Sequence, residues 1–574
     1  MDSIAALKEF LKTGFRGDVD DSPAALDKAS HDASLLEVRP KVVLFPKDAD
    51  DIKAVVHFVR VNKDAYPDLS ITVRSAGSCM AGGPLNDSII LDVTRYMRGI
   101  IELKKNDGAN ESAAFSPDFG GSATVLPGTF YRDFEPEAAK LGLILPCYTA
   151  SKNLNTIGGM VGNNSAGEKT LRYGKTEDFI LSLKIILEDG NEYVVRPLDK
   201  EEFKDKLSTP GYEGDLYRKI WQIVSENADL LARAKPKVSK NSAGYYLWNV
   251  WNQTGGKDGQ GVFDLCRLIV GSEGTLGIVT EVTIRLVPIK PISKLFVIFM
   301  PTLDRLGEVV RDVVAFKPES FESYDDSTMK LAVKFLPSLL KTMKLNFLRL
   351  LWSFIPEGFM AITGGFPKIV LLVEFCGDNA GAIDKEMSAL EDKLRPYGFK
   401  TRRAKNAFDS EKYWTIRRES FNLLRKHVKG KRTAPFIDDI IVPPETMPEF
   451  LPKMRAILDD YKLMYTIAGH AGNGNFHIIP LMDMHDPQSY AANVKAIGEV
   501  SDKVYDLVLS YGGSITAEHN DGIVRTPYLI KQYGPEVIAL FKQAKDAFDP
   551  RDIFNPGKKV GDTKKFMLEH IARG

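Results

Sequence analysis

The sequence predicts an α+β protein of more than one domain, opening with a region built from α/β units. Three observations carry this. The chain has 574 residues, too many for one ordinary core. Its N-terminal part alternates short apolar strands with amphipathic helices. A stretch of clean two-residue alternation then runs into the proline-marked VPIKPISK (287–294), beyond which the pattern changes.

MDSIAALKEFLKTGFRGDVDD opens the chain as a charged helix candidate, without the basic start and unbroken apolar centre of a signal peptide. KVVLF (41–45) reads as a strand closed by Pro46. Asp48 then caps a helix whose Ile52, Val55, Val56 and Val59 share one face. SITVRSAGSCMAGGP (70–84) is a strand running into a loop of small residues, and SIILD (88–92) is another strand. A second unit follows: a strand at 122–126, Pro127-Gly128, and a helix at 129–141. In GIVTEVTIRLVP, Ile278, Thr280, Val282, Ile284 and Leu286 fall on one face, with Glu281, Thr283 and Arg285 on the other. Further on, strands such as KIVLLVEF (368–375) mix with helices such as 379–395, an α+β second domain. The units expected are an N-terminal helical segment (1–34), a first domain (35–290), a second domain (291–505) with an apolar insertion (331–364), and a C-terminal segment (506–574). The last ends in the turn-rich FDPRDIFNPGKK and is expected to pack back on the first domain.

Within the insertion, LKTMKLNFLRLLWSFIPEGFM (340–360) has two readings: a helix lying on an anionic membrane surface, or one buried in the second domain or at a homodimer contact. Buried packing is the commoner fate of such a stripe. Lys+Arg and Asp+Glu both total 76, which removes the electrostatic footprint of a nucleic-acid binder. Cys79, Cys147, Cys266 and Cys376 are far apart, so neither a disulfide framework nor a cysteine-held cluster fits. No run of 18 apolar residues occurs. A cytoplasmic protein is expected, peripheral on the inner face of the membrane if 340–360 touches lipid.

RSAGSCMAGG (74–83) can turn successive N–H groups toward an anion such as pyrophosphate. It is not the GxGxxG fingerprint, which disfavours NAD. With TIGGMVGNNSAG (156–167) and GSEGTLG (271–277) there are three small-residue loops, enough to line the path of a dinucleotide. Three of the eight histidines fall in AGHAGNGNFH (468–477) and TAEHNDG (516–522). Local spacing leaves open a metal or proton-transfer site on one side and turn histidines on the other.

Taken in order, RSAGSCMAGG, VLPGTFYRDF (125–134), NTIGGMVGNNSAG, YGKTEDFILSLKIILEDG (173–190) and GSEGTLGIVTEVTIRLVP resemble the FAD-contacting segments of the vanillyl-alcohol oxidase/p-cresol methylhydroxylase superfamily. WTIRRE (414–419), FIDDIIVP (436–443), AGHAGNGNFH, AEHNDG and FDPRDIFNPGK are similar to its FAD-linked D-lactate dehydrogenase and glycolate oxidase flavin-subunit branch. The resemblance implies an FAD domain of two α/β subdomains, a cap domain, and a C-terminal segment returning to the flavin. FAD contacts are implied at Arg74, Ser75, Ala76, Gly77, Ser78, Gly82, Gly83 and Pro146. Others are implied at Thr156, Gly158, Gly159, Asn163, Ser165, Gly167, Gly271, Glu273, Gly277 and Ile278. Where some members carry a flavin-linked histidine this chain has Ser78, so noncovalent FAD is expected.

The resemblance further implies a divalent metal (Zn, Mn or Fe) on His470, His477 and Glu518. It also implies His519 as the base and Arg417, or its neighbour Arg418, as the clamp for a substrate carboxylate. Asn473, Ile479 and Asn520 depart from the family pattern and put the substrate in question. The expected activity is oxidation of a D-2-hydroxy acid, D-lactate first among them, by hydride transfer to flavin, with electrons passed to a quinone, a cytochrome or another acceptor. A non-catalytic FAD-binding subunit and an ether-lipid-synthase-like flavoenzyme are the alternatives. Retention of His470, His477, Glu518 and His519 together speaks against the first, and the lack of a multi-histidine motif against the second.

Overall fold

Strands that are apolar on both faces must be covered on both sides, and the three parallel strands of the first sheet are buried on both. The computed structural model describes residues 3–106, 119–255, 259, 261–334, 366–427, 430–561 and 563–573. In it β1 (Asp18–Asp20), β2 (Val42–Phe45), β3 (Ile71–Arg74) and β4 (Ile89–Asp92) lie in the order β1-β2-β4-β3. β2, β4 and β3 are parallel, and β1 adds an antiparallel edge. The helix Ala49–Asn62 follows β2, with the Asp48 carboxylate accepting from the Asp50 and Asp51 N–H groups. Such a cap contributes about 1 kcal/mol. Its Ile52, Val55, Val56 and Val59 are completely buried in the core that also holds Val42, Leu44, Ile89 and Leu91.

The second sheet is antiparallel. β5 (Ile100–Lys105), β6 (Gly121–Val125), β7 (Leu143–Ile144), β8 (Ile180–Ile186) and β9 (Glu192–Val195) precede a small pair, β10 (Trp251–Asn252) with β11 (Val262–Phe263). β12 (Ile278–Pro288) then enters the middle, giving the order β5-β6-β12-β8-β9 with β7 on the end of β12. Along β12 the residues Ile278, Thr280, Val282, Ile284 and Leu286 are buried while Val279, Glu281, Thr283 and Arg285 are half-buried.

After residues 289–291 a third sheet begins. It contains β13 (Ile292–Met300), β14 (Ser320–Asp325), β15 (Ile369–Gly377), β16 (Lys400–Arg403), β17 (Arg432–Thr433), β18 (Ile440–Ile441), β19 (Met464–His470) and β20 (Asn475–Met482). The order is β16-β13-β15-β14-β19-β20-β17, with β18 beside β20. Side chains alternate across a strand, and β13 serves two cores. Phe296, Ile298 and Met300 join the helices Leu306–Val314 and Ala380–Leu394, whereas Leu295, Val297 and Phe299 meet Tyr413, Trp414 and Ile416 of the helix Ala407–His427.

A single helix, Pro487–Ser510, runs through the boundary expected at 505/506, so the C-terminal segment starts beyond Ser510. That segment returns to the first sheet. Ile553 and Phe554 enter its core, and the Asn555 amide donates to the carbonyls of Gly83 (2.9 Å) and Glu273 (2.7 Å). The apolar segment 340–360 lies outside the described residues. Among those described, no helix is long and apolar enough to cross a membrane.

Candidate active site

The AGHAGNGNFH stretch is a β-hairpin. β19 ends on His470, Ala471–Asn473 make one turn of 3-10 helix, and β20 starts at Asn475. Gly474 closes the reversal at φ +73°, and a Cβ there would lie 2.0 Å from the Val442 carbonyl oxygen, so only glycine fits. Register pairs His470 with Asn475 and Ala468 with His477. His477 lies two residues beyond Asn475, hence on the same face and diagonal to His470. The two rings meet edge to face with centroids 5.2 Å apart.

Three imidazole Nε2 atoms converge on one carboxylate oxygen. Glu518 Oε1 lies 3.1 Å from His470, 3.3 Å from His477 and 3.8 Å from His519. Each ring has a second carboxylate at Nδ1. Glu322 on β14 bonds His470. Asp438 serves both other rings, at 3.2 Å from His477 and 2.7 Å from His519, the latter contact off the hydrogen-bond line. Such outer carboxylates fix ring orientation and leave Nε2 facing inward. The neighbouring Asp439, at φ +68°, has a different task. Its Oδ2 accepts from the Thr516 hydroxyl and the N–H groups of Ala517, Glu518 and His519 at 2.6–2.8 Å. It therefore shapes the chain that presents Glu518 and His519.

The charges are strongly coupled. Burial would raise the Glu518 carboxyl, but Lys240 and His470 outweigh it and hold it well below the usual carboxylate range. Burial likewise opposes the shift at Asp438, which His519 and His477 lower. Burial would lower His477, yet Asp438 and Glu518 push it up to about 10. His519 is raised against burial by Asp438 and Asp439. Imidazole nitrogens and a carboxylate oxygen meeting at one point, each ring braced from behind, are a donor set that fits a divalent transition-metal ion. Asp439, His477, Glu518 and His519 can each present a ligand atom within 4.8 Å of the others. Asp439 Oδ2 is already bonded four ways, which leaves the imidazoles and Glu518 as the better donors.

The two candidate clamps separate. On the helix Ala407–His427, Arg417 turns its Nε and Nη2 to Glu322 Oε2 (3.1 and 3.0 Å), inside the His470 network. Arg418 points elsewhere, to Glu168 at 2.9 Å and over the Trp414 ring.

The small-residue loops gather beside this cluster. Thr156 caps the helix Ile157–Asn163 by accepting from the Gly159 N–H, and Gly158 lies so close to Pro127 that a Cβ would sit 2.6 Å from its carbonyl oxygen. Ser75 lies against Gly159, and Gly83 against the Glu273 carboxylate. The Gly271 and Glu273 N–H groups donate to Val161 and Gly162. The Arg74 side chain is buried, donating to the carbonyls of Ala29 and His31. Asn163 donates to the Glu518 carbonyl (2.7 Å), while Asn520 donates to the carbonyls of Asn163 and Gly271 (3.2 and 2.9 Å). The histidine cluster is thereby stitched directly to two of the loops. Asn473 bonds Ser239 (2.9 Å).

Sequence reasoning missed Lys240, Glu322, Asp438 and Asp439. The one available signal was IDDII (437–441), two adjacent acids inside an apolar run, which folding buries only with partners.

Comparison with known proteins places the chain among flavoprotein sequences and folds. A family model described as "FAD binding domain" matches residues 40–196, and one described as "FAD linked oxidases, C-terminal domain" matches 291–559. D-2-hydroxyglutarate dehydrogenase of Pseudomonas putida is 30% identical over 96% of this chain, and the chain spans 51% of that protein, about half its length. D-lactate dehydrogenase of Archaeoglobus fulgidus is 25% identical over 90% of this chain and 91% of the relative. Substrate-bound p-cresol methylhydroxylase shares the fold, with a TM-score of 0.66 at 15% identity over 97% of each chain.

Proposed function

We propose that the chain, which matches an FAD binding domain over residues 40–196 and an FAD linked oxidase C-terminal domain over 291–559, is an FAD-dependent dehydrogenase of D-2-hydroxy acids. The observation that carries this reading is the convergence of His470, His477 and His519 on Glu518 Oε1, beside loops joined to Asn163 and Gly271. Noncovalent FAD would be held by loops 75–83, 156–167 and 271–277, and a divalent ion by His470, His477 and Glu518. When bound, FAD supplies a hydride acceptor and the ion supplies Lewis acidity toward the substrate hydroxyl.

The chain's own residues do the rest. His519 takes the hydroxyl proton at Nε2, its Nδ1 side being fixed by Asp438. Against burial, Asp438 and Asp439 hold that ring toward its protonated form; a positive charge held at Glu518 would oppose them and favour the neutral base. Arg417, braced on Glu322, orients the substrate carboxylate. Burial of Glu518, His470 and Asp438 keeps bulk water from competing for these contacts. Electrons then leave for a quinone, a cytochrome or another separate acceptor.

D-lactate is the substrate expected from the sequence, and D-2-hydroxyglutarate is the one named for the Pseudomonas relative. The test is anaerobic mixing of the flavin-loaded protein with both enantiomers of lactate and 2-hydroxyglutarate and with glycolate, reading loss of the visible flavin absorbance. Rapid bleaching by a D-acid, stopped by complete metal removal, is expected. Failure of every D-2-hydroxy acid to bleach the flavin would overturn the dehydrogenase reading. Bleaching that survives metal removal would overturn the metal's role.

A further inference from the structure

Residues 238–245, VSKNSAGY, match no motif, yet they thread between the histidine hairpin and the 514–521 stretch. Ser239 exchanges bonds with Asn473. The Asn241 amide oxygen accepts from the Ser514 hydroxyl (2.6 Å). Ser242 donates through its N–H to the Thr516 carbonyl (3.1 Å) and accepts at Oγ from the Asn520 N–H (3.0 Å). The Gly244 N–H donates to Asp521 (2.8 Å). Between these anchors the Lys240 side chain is completely enclosed, with Nζ 2.9 Å from Glu518 Oε2.

Enclosing an ammonium costs several kcal/mol unless it is paired. The pairing divides Glu518 in two. Oε2 belongs to Lys240, while Oε1 is the atom on which the imidazoles converge. We propose that Lys240 is a positioning residue that reserves Oε2, so that Glu518 offers a divalent ion one oxygen and not two. This rests on the metal site proposed above. The consequence is selectivity. A carboxylate open on both oxygens suits large ions with many oxygen ligands, such as Ca²⁺. One oxygen beside imidazoles suits ions of low coordination number such as Zn²⁺, and leaves positions for substrate oxygens. Lys240 also neutralises the buried Glu518 charge without taking up the atom the site uses.

The test titrates flavin-loaded, metal-stripped protein with Zn²⁺ in competition with Ca²⁺ and Mn²⁺, comparing wild type with K240M and K240Q. K240M is expected to lower Zn²⁺ affinity by about 10- to 100-fold, the usual effect of losing a partner to a metal ligand, and to narrow the preference for Zn²⁺ over Ca²⁺. K240Q, which keeps a neutral donor, should fall between. Because K240M leaves a buried carboxylate unpartnered and can unfold the site, a crystal structure of Zn²⁺-loaded wild type is the second measurement. It should show Glu518 on the ion through Oε1 with Lys240 on Oε2. Wild-type affinity and selectivity in K240M, or an ion held through both oxygens, would overturn the inference while leaving the metal site standing. A wild type that binds none of these ions would overturn the metal reading and this inference with it.

Discussion

Replacing Asp438 by asparagine tests the site at the point where two histidines share one support. The carboxylate faces His477 Nδ1 at 3.2 Å and His519 Nδ1 at 2.7 Å, and it is completely buried. Asparagine keeps the shape but offers one carbonyl oxygen and one NH₂. One ring keeps its acceptor. The other meets an N–H where it had an oxygen, and must either lose that contact or change tautomer, placing a hydrogen on Nε2 toward Glu518. A ring so turned presents no lone pair for an ion or a proton. One charge-assisted hydrogen bond contributes about 1.5–3 kcal/mol, or roughly 10- to 150-fold. D438N should therefore lose about that factor in metal affinity through His477, the ring that Asp438 hydrogen-bonds. At His519, where the contact is off the hydrogen-bond line, the loss is that of a buried ion pair and reads as slower flavin reduction. Metal titration and anaerobic stopped-flow reduction separate the two, and a thermal melt identifies any unfolding. A folded D438N protein within threefold of wild type in both measurements would refute the reasoning (about 0.6 kcal/mol, below the loss of one such bond).

Further outcomes follow from the same contacts. H519Q should slow flavin reduction by about 100- to 10,000-fold, the range for loss of a general base, while retaining bound metal; loss of the ion would make His519 a ligand instead. R417M should raise KM for the acid by about 10-fold or more, as one charged contact is lost, whereas R418M, half-exposed and bonded to Glu168, should leave KM nearly unchanged. Equal effects would dismiss the distinction between them. Glu273, pushed up to about 7 by burial, is raised above its unfolded value of about 4.3. Its contribution is full below that value and is lost as pH rises through about 7, on the order of 3 kcal/mol. In urea denaturation between pH 5 and 8, E273Q should lose less stability than wild type, and an identical slope would refute the assignment.

Much of the architecture was legible because its signals are local. The apolar face of the helix capped by Asp48 and the alternation along β12 are set by which side chains must leave water, and both are found as read. The expected boundary at 505/506 falls inside a helix, because a unit boundary has no local signal as sharp as a strand's alternation. Helix Pro487–Ser510 carries no breaker there and continues. Within the site, the chain reverses between the two histidines at Gly474, whose φ of +73° only glycine adopts freely. No local pattern tells that Glu322, more than a hundred residues upstream, stands behind His470.

The sequence by itself determined the residue types of the site: imidazoles among glycines, one carboxylate beside His519, small-residue loops, and no cysteine cluster. It also separated the two alternating faces of β12. Only the tertiary structure decided the partners. Lys240, Glu322 and Asp438 come from three distant segments, and each is recognisable only by the group it meets. The physical reason is that a buried charge survives folding only with an opposite charge or a donor beside it. That partner is chosen by sheet order and loop path, not by its neighbours in the chain.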